Sequence, residues 1–324
     1  MSETTLAARA DIRKGSKSFS FASFVFSSEE REACWRLYAW CRRSDDAIDT
    51  AANRGEAAKR LLELRQKTRA SFRGEDLGEH PWTGLCEIAK RYRLPESAAQ
   101  DLLRGFEMDL GHAEVQSERD GILVQMKSWD QLADYCYCVA GTVGLLMCPI
   151  MGVTDPQANK GASEAAIAMG SAMQLSNIAR DIREDFENGR VYLPADWLSA
   201  AGVLPPELLS PENREKTFSV VKRLLARAED LYSQGEDGLR FLPWRAAWAV
   251  IVASTLYREI GRRVIERGSE TDFSRVVVGS FSKFVLFFGA TLRLLRLRIW
   301  GKSLSPGSSP GSSRGPASTE RILR

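Results

Sequence analysis

Histidine is nearly absent, with only His80 and His112 among 324 residues. That scarcity argues against three-histidine zinc sites, Ser-His-Asp triads and Cys-His chemistry. Charged catalytic work then falls to carboxylates. The six cysteines, at 34, 41, 86, 136, 138 and 148, contain no C-x-x-C pair. Most lie in apolar stretches, as expected of buried free thiols in a reducing compartment. No charge sign dominates either: 45 Lys/Arg against 42 Asp/Glu leave +3, too little for a nucleic-acid binder relying on a broad cationic face. Residues 293–324 hold seven of the basic residues and one Glu, so the basic excess belongs to the tail. The opening MSETTLAARADIRKG lacks the apolar core of a secretory signal, so a cytoplasmic location is expected. Residues 135–154 carry no formal charge and would be long enough to span a bilayer. Three glycines, Pro149, Tyr135 and Tyr137 within that stretch fit a buried helix beside a cavity better.

Period-2 alternation is almost missing, whereas helical periodicity runs throughout. The expected fold class is all-α, with helices near 29–50, 56–73, 82–92, 95–117, 128–152, 163–187, 211–236, 243–268 and 273–300. No internal change of composition marks a boundary, so residues 5–300 are read as one helical domain. Residues 301–324, rich in Ser, Pro and Gly, are read as a disordered tail. Just before it, Arg293, Arg296 and Arg298 interleave with Leu294, Leu295, Leu297, Ile299 and Trp300. That helix end suits either an anionic membrane surface or packing on the core with snorkelling arginines. Ser16 to Phe21 alternates polar and apolar, the pattern of a short strand or extended flap.

Two helices carry polar stripes along otherwise apolar surfaces. In CWRLYAWCRRSDDAID, 34–49, the first turns are apolar nearly all round, which implies burial. Tyr38, Arg42, Asp45 and Asp49, at offsets of 4, 7 and 11, fall within about 60° of one another on an ideal helix. The pattern recurs in AAIAMGSAMQLSNIARDIRED, 165–185, whose residues 165–179 are uncharged. Gln174, Asn177, Asp181 and Asp185 there share a face within about 80°, and Gly170, Ser171 and Ala172 permit a close helix neighbour. Asp130 and Asp134 also form D-x-x-x-D, but without an extended stripe they read as a solvated helix face.

Aspartates spaced i, i+4 stand about 6 Å apart along the axis, too far to chelate one ion compactly but suited to a cluster of ions. Four carboxylates gathered without compensation would repel and be costly to desolvate. Hard divalent ions prefer oxygen ligands and are commonly shared with substrate phosphates, so Mg²⁺ or Mn²⁺ and a diphosphate-bearing substrate are expected. No G-x-G-x-x-G occurs in a strand-turn-helix context, and no NADPH is expected.

SKSFSFA around 17–22, YAWCRRSDDAID (38–49), YCYCVAGTVG (135–144) and QLSNIARDIREDFENGRVYLP (174–194) together resemble the squalene/phytoene synthase family. The similarity runs from about 14 to 290, four blocks in the family's order. GRVYLPADWL (189–198) and RAAWAVIVASTLYREIGRRV (245–264) are most similar to its bacterial phytoene-forming branch. The resemblance implies a single-domain isoprenoid-synthase helical bundle, two aspartate-rich helices facing a central cavity, and an active-site mouth bordered by the 16–26 flap.

It further implies that Asp45, Asp49, Asn177, Asp181 and Asp185 hold Mg²⁺. By the same resemblance, Ser18, Phe19, Tyr38, Arg42, Tyr135, Ala140, Gln174, Arg180, Tyr257 and Arg275 would contact diphosphate or line the chamber. Val139, Val143, Phe19 and Phe24 would wall the cavity. Arg180 lies about 100° off the stripe on an ideal helix. The implied reaction is head-to-head condensation of two geranylgeranyl diphosphates through a cyclopropylcarbinyl (prephytoene) diphosphate to phytoene, a prenyl transfer in carotenoid biosynthesis. The family also implies alternatives: squalene or dehydrosqualene formation from farnesyl diphosphate, and, more remotely, a non-catalytic assembly factor with eroded aspartates. D-D-x-x-D at 45–49 also occurs in terpene cyclases and head-to-tail prenyltransferases, but the second block matches neither. An amphiphilic substrate and an insoluble product lead to the expectation of peripheral contact with the inner membrane face through 284–300. They also lead to the expectation of handover to a downstream desaturase.

Overall fold

The computed structural model describes residues 3–15, 23–110, 124–153, 160–270, 272–276, 279, 286–287 and 289–294. Ser18 and Phe19, with the rest of 16–22, lie outside the described residues, as do His112 and the tail. The described residues are mostly helical: α1 Glu3–Gly15, α2 Ser28–Asp49, α3 Arg54–Phe72, α4 Trp82–Tyr92 and α5 Glu96–Asp109. Beyond them come α6 Trp129–Ile150, α7 Lys160–Glu187, α8 Ala195–Ala200, α9 Arg214–Asp237 and α10 Trp244–Arg267. Residues 286–287 and 289–294 are helical as well. The strands among the described residues are two residues each, β1 Val124–Gln125 and β2 Arg190–Val191, paired in parallel.

The α7 helix is central, packing along α6, α9 and α10. Its uncharged first half explains why: Ala165, Ala168, Met169, Ala172 and Leu175 are all buried. Small residues let α6 approach closely. A Cβ added at Gly170 would lie 2.3 Å from the Ala140 carbonyl oxygen, and one at Gly144 would lie 2.4 Å from that of Ala166. At this contact α6 adopts a π turn, Tyr137–Gly141, of the kind that often accompanies functional sites and re-aims side chains. The α6 helix meets the length and composition for crossing a membrane, yet it packs between α5 and α7 in the core.

The α2 helix starts at a capping box, with Ser27 Oγ accepting from Glu30 N at 3.3 Å and Glu30 Oε2 accepting from Ser27 N at 2.8 Å. Trp40, fully buried, donates from Nε1 to Thr68 Oγ1 on α3 at 3.2 Å, which sets the rotation of α2. All six cysteines are free, and burial pushes the Cys34 and Cys41 thiols up to about 12, away from reactive thiolates.

Several expectations need correction. The α1 helix was not apparent, because its buried side chains are few; Ala8 and Ile12 pack on Trp35 and Ala39. The helix expected over 95–117 ends at Asp109, where the Leu110 amide closes the last turn. The helix expected from 273 is interrupted. Phe273 adopts φ 56°, the Ser274 amide donates to Asp272 Oδ1 at 3.1 Å, and Arg183 donates to the Asp272 carbonyl at 2.7 Å. Residues 23–26 of the expected flap form a turn closed by Phe26 N to Ser23 O at 3.2 Å. Phe24 is 61% exposed there, so it does not wall the cavity. In the last helical stretch Leu294 is buried, and Arg293 pairs with Glu236 at 2.7 Å; this part packs on the core.

Replacing Gly170 by Ala should cost about 1–3 kcal/mol through overpacking against Ala140. Thermal unfolding followed by circular dichroism should show the melting temperature falling. An unchanged transition would contradict the close α6–α7 contact.

Candidate active site

A cavity of about 350 Å³ runs between α2, α6, α7, α9 and α10. Val139, Ala140, Val143, Met147, Met169 and Met173 are among its walls, and Tyr38, Gln174, Asn177 and Tyr257 give it a polar end. Along α7 the lining extends from Ala162 to Asn177, about 22 Å at 1.5 Å per residue. The aspartates are not part of that lining. They continue each stripe beyond it: Asp45 follows Cys41 by one turn on α2, and Asp181 follows Asn177 by one turn on α7. An apolar chamber thus ends at a carboxylate rim.

Arginines occupy the rim. Arg42 Nη1 donates to Asp45 Oδ2 at 3.1 Å, and its Nη2 pairs with Asp46 Oδ1 at 2.6 Å. Arg180, off the ideal stripe, bends onto its neighbour Asp181, donating from Nε and Nη2 at 2.8 and 2.5 Å. Arg275 stands 3.3 Å from Asp181 and 2.7 Å from Glu184. The Arg183 and Asp272 contacts that interrupt the last helix hold the segment carrying Arg275 in place. Arg190, from β2, donates to Asp49 Oδ1 at 2.7 Å. Its charge also lowers Asp45 and Asp185, so one guanidinium acts on acids of both helices.

The electrostatics reflect crowding. Burial, then the charge of Asp49, pushes the Asp45 carboxyl up to about 6, against the pull of Arg42. Burial, then Asp181, pushes Asp185 up to about 7. Tyr38 is pushed up to about 12 by burial, with Arg42 opposing, and burial also raises Tyr257. Both phenols therefore stay protonated as donors near neutrality.

The donor set fits a hard divalent cation. Asn177 Oδ1 is buried without a hydrogen-bond partner, while its Nδ2 donates to Gln174 Oε1 at 3.3 Å. An unpaired amide oxygen beside crowded carboxylates is an arrangement that a cation would satisfy. Among the described residues no three His, Cys, Asp or Glu side chains gather as a metal cluster, and arginines pair with Asp45, Asp49 and Asp181.

Tyr135, expected to meet substrate, is not part of the cavity lining. It is 4% exposed, and its hydroxyl is 3.0 Å from Asp109 and 3.2 Å from Tyr192. Tyr137 likewise donates to Asp101 at 2.8 Å. Asp134 pairs with Arg104 at 2.6 Å while Asp130 is exposed, so that acid pair stands apart from the rim. Sequence reasoning missed Arg190, Tyr192, Asp46, Glu184 and Asp109. The Arg190/Tyr192 alternation was a usable signal, but Asp109 is a lone acid at a helix end and offered none.

The squalene/phytoene synthase family model matches residues 12–282. A 15-cis-phytoene synthase from Pantoea ananas is 36% identical over 293 residues, covering 88% of this chain and 90% of that protein. One from Paracoccus sp. is 35% identical over 311 residues, covering 94% and 96%. Among solved structures, a dehydrosqualene synthase in complex with ligand superposes with TM-score 0.77 at 24% identity, covering 91% and 97% of the two chains. That last likeness is one of fold.

Because Asp45 and Asp185 are raised from 3.8 to about 6 and about 7, the metal-free native state keeps protons that the unfolded chain has released. Stability conferred by these groups is therefore greatest below about pH 4, declines as pH rises to about 7, and is lowest above that. Asp185→Asn should raise the melting temperature of chelator-treated protein at pH 8, with the gain vanishing at pH 4. A variant no more stable than wild type at pH 8 would refute the crowding.

Proposed function

The chain belongs to the squalene/phytoene synthase family, and from that premise we propose that it is a magnesium-dependent phytoene synthase. This prenyltransferase would join two geranylgeranyl diphosphates head to head by way of prephytoene diphosphate. The observation that carries the reading is the ending of one apolar cavity at two aspartate-bearing helices. Curated relatives named phytoene synthase at 35–36% identity over most of both chains favour the C20 substrate. The dehydrosqualene synthase likeness concerns fold, and farnesyl diphosphate is the second substrate to test. A non-catalytic assembly role is disfavoured by the intact acids and arginines.

Asp45, Asp49, Asn177, Asp181 and Asp185 would hold the Mg²⁺. Bound there, the metal would supply positive charge to the departing diphosphate, a form of electrostatic catalysis. Arg42, Arg180, Arg190 and Arg275 add fixed cationic donors at the same rim. As the C–O bond breaks, diphosphate leaves with the bonding electrons and the allylic cation faces the cavity. The double bond of the second substrate attacks that cation, and proton loss closes the cyclopropane. The intermediate then ionises in turn, rearranges and loses a further proton. Val139, Ala140, Val143, Met169 and Met173 offer water no side-chain hydrogen-bonding partner in this chamber, which would protect each cation from capture. Tyr38 and Tyr257, both protonated, border its polar end.

The chemistry of substrate and product further supports a cytoplasmic enzyme resting on the inner membrane face and passing its hydrocarbon to a desaturase. Leu292 is 59% exposed on the last helical stretch. Cosedimentation with anionic vesicles, before and after deletion of 295–324 and with Leu292→Ser, tests this contact; unchanged binding in both variants would exclude it.

Purified protein incubated with MgCl₂ and geranylgeranyl diphosphate should yield a C40 hydrocarbon by mass, and EDTA should abolish it. A C30 product from farnesyl diphosphate alone would shift the assignment to squalene-type synthesis. No hydrocarbon from either substrate would favour the assembly role. Asp181→Asn should reduce turnover by about 10²–10³-fold, in the range seen on losing one preorganised electrostatic group.

A further inference from the structure

Two residues apart in extended backbone, Arg190 and Tyr192 project to one side of the chain. They reach different acids. Arg190 donates to Asp49 on α2 at 2.7 Å, and the Tyr192 hydroxyl donates to Asp109 Oδ1, at the end of α5, at 2.6 Å. The second oxygen of Asp109 accepts from Tyr135 on α6 at 3.0 Å, and the tyrosine rings stack with centroids 4.9 Å apart. Tyr135 and Tyr192 are 4% and 6% exposed, so two buried phenols hold this half-buried carboxylate.

The β2 strand needs such a hold. Its ladder consists of Arg190 and Val191 against Val124 and Gln125, and isolated two-stranded pairings are marginal on their own. Asp109 supplies a second anchor one residue past the ladder. Its negative charge also acts on Arg190, offsetting the guanidinium that the same strand presents to the rim.

We propose that Asp109 is a positioning residue for the diphosphate site. Clamped by Tyr135 and Tyr192, it fixes strand β2 so that the Arg190 guanidinium stands among the rim aspartates. This role rests on the diphosphate reading above. Asn at 109 would preserve the shape but remove the charge, and its amide oxygen could accept on one side only, because its nitrogen donates.

The test is binding of inorganic diphosphate in the presence of MgCl₂, measured by calorimetry on the full chain, alongside melting temperatures. Wild type should bind. Asp109→Asn should weaken binding about tenfold, a change of about 1.4 kcal/mol, and Tyr192→Phe should weaken it in the same direction while leaving Asp109 one donor. Combined with Arg190→Gln, Asp109→Asn should add little further loss, the signature of residues acting as one unit. A purely structural role would lower the melting temperature without changing the affinity of the folded protein, and that result overturns the proposal. So would losses that simply add in the double variant. If Asp109→Asn does not fold, Tyr192→Phe binding like wild type overturns it. Wild type failing to bind would overturn the diphosphate reading itself, and this role with it.

Discussion

Asp45, Asp49, Asp181 and Asp185 stand at the edge of an apolar cavity, where each aspartate repels its partner on the same helix, and the surrounding structure compensates that repulsion. Its mark is visible in Asp45 and Asp185, both raised well above the ordinary carboxylate range. Even partial burial of a charge is costly without compensation. The acids make sense as half of an interaction whose other half is cationic.

Part of that cationic half is built in. Arg42, Arg180, Arg190 and Arg275 come from α2, α7, β2 and the segment after α10, so four parts of the chain converge on one rim. Guanidinium groups are suited to this because they stay charged and grip carboxylate and phosphate alike through paired donors. The same arginines that hold the acids apart are thus equipped to receive a diphosphate. The unpartnered Asn177 oxygen marks the place where arginine leaves a demand unmet.

The apolar half of the site depends on backbone proximity. Gly144 and Gly170 let α6 and α7 approach so closely that neither position has room for a Cβ, and the π turn at Tyr137–Gly141 places Val139 and Ala140 on the cavity wall. The apolar chamber and the charged rim therefore share one helix. The α7 helix carries both: alanines and methionines in its first half, polar and acidic residues in its second.

The helical class, the two polar stripes and the oxygen-rich donor set could be read from the sequence, because a helix writes its faces at fixed spacing and each stripe lies within one helix. Tyr38, Gln174, Asn177 and Tyr257 do border one cavity. The sequence misplaced Phe24 and extended the last helix through Phe273, since apolar residues report a preference for burial without saying which cavity, turn or core receives them. Tyr135 was recognisable as a residue of interest, but its partners Asp109 and Tyr192 are 26 and 57 residues away along the chain. Arg190 crosses 141 residues to reach Asp49. What lies within one helix followed from local periodicity; what joins separate elements was decided by tertiary packing, because hydrogen bonds and charge compensation act through space and leave no spacing rule in the chain.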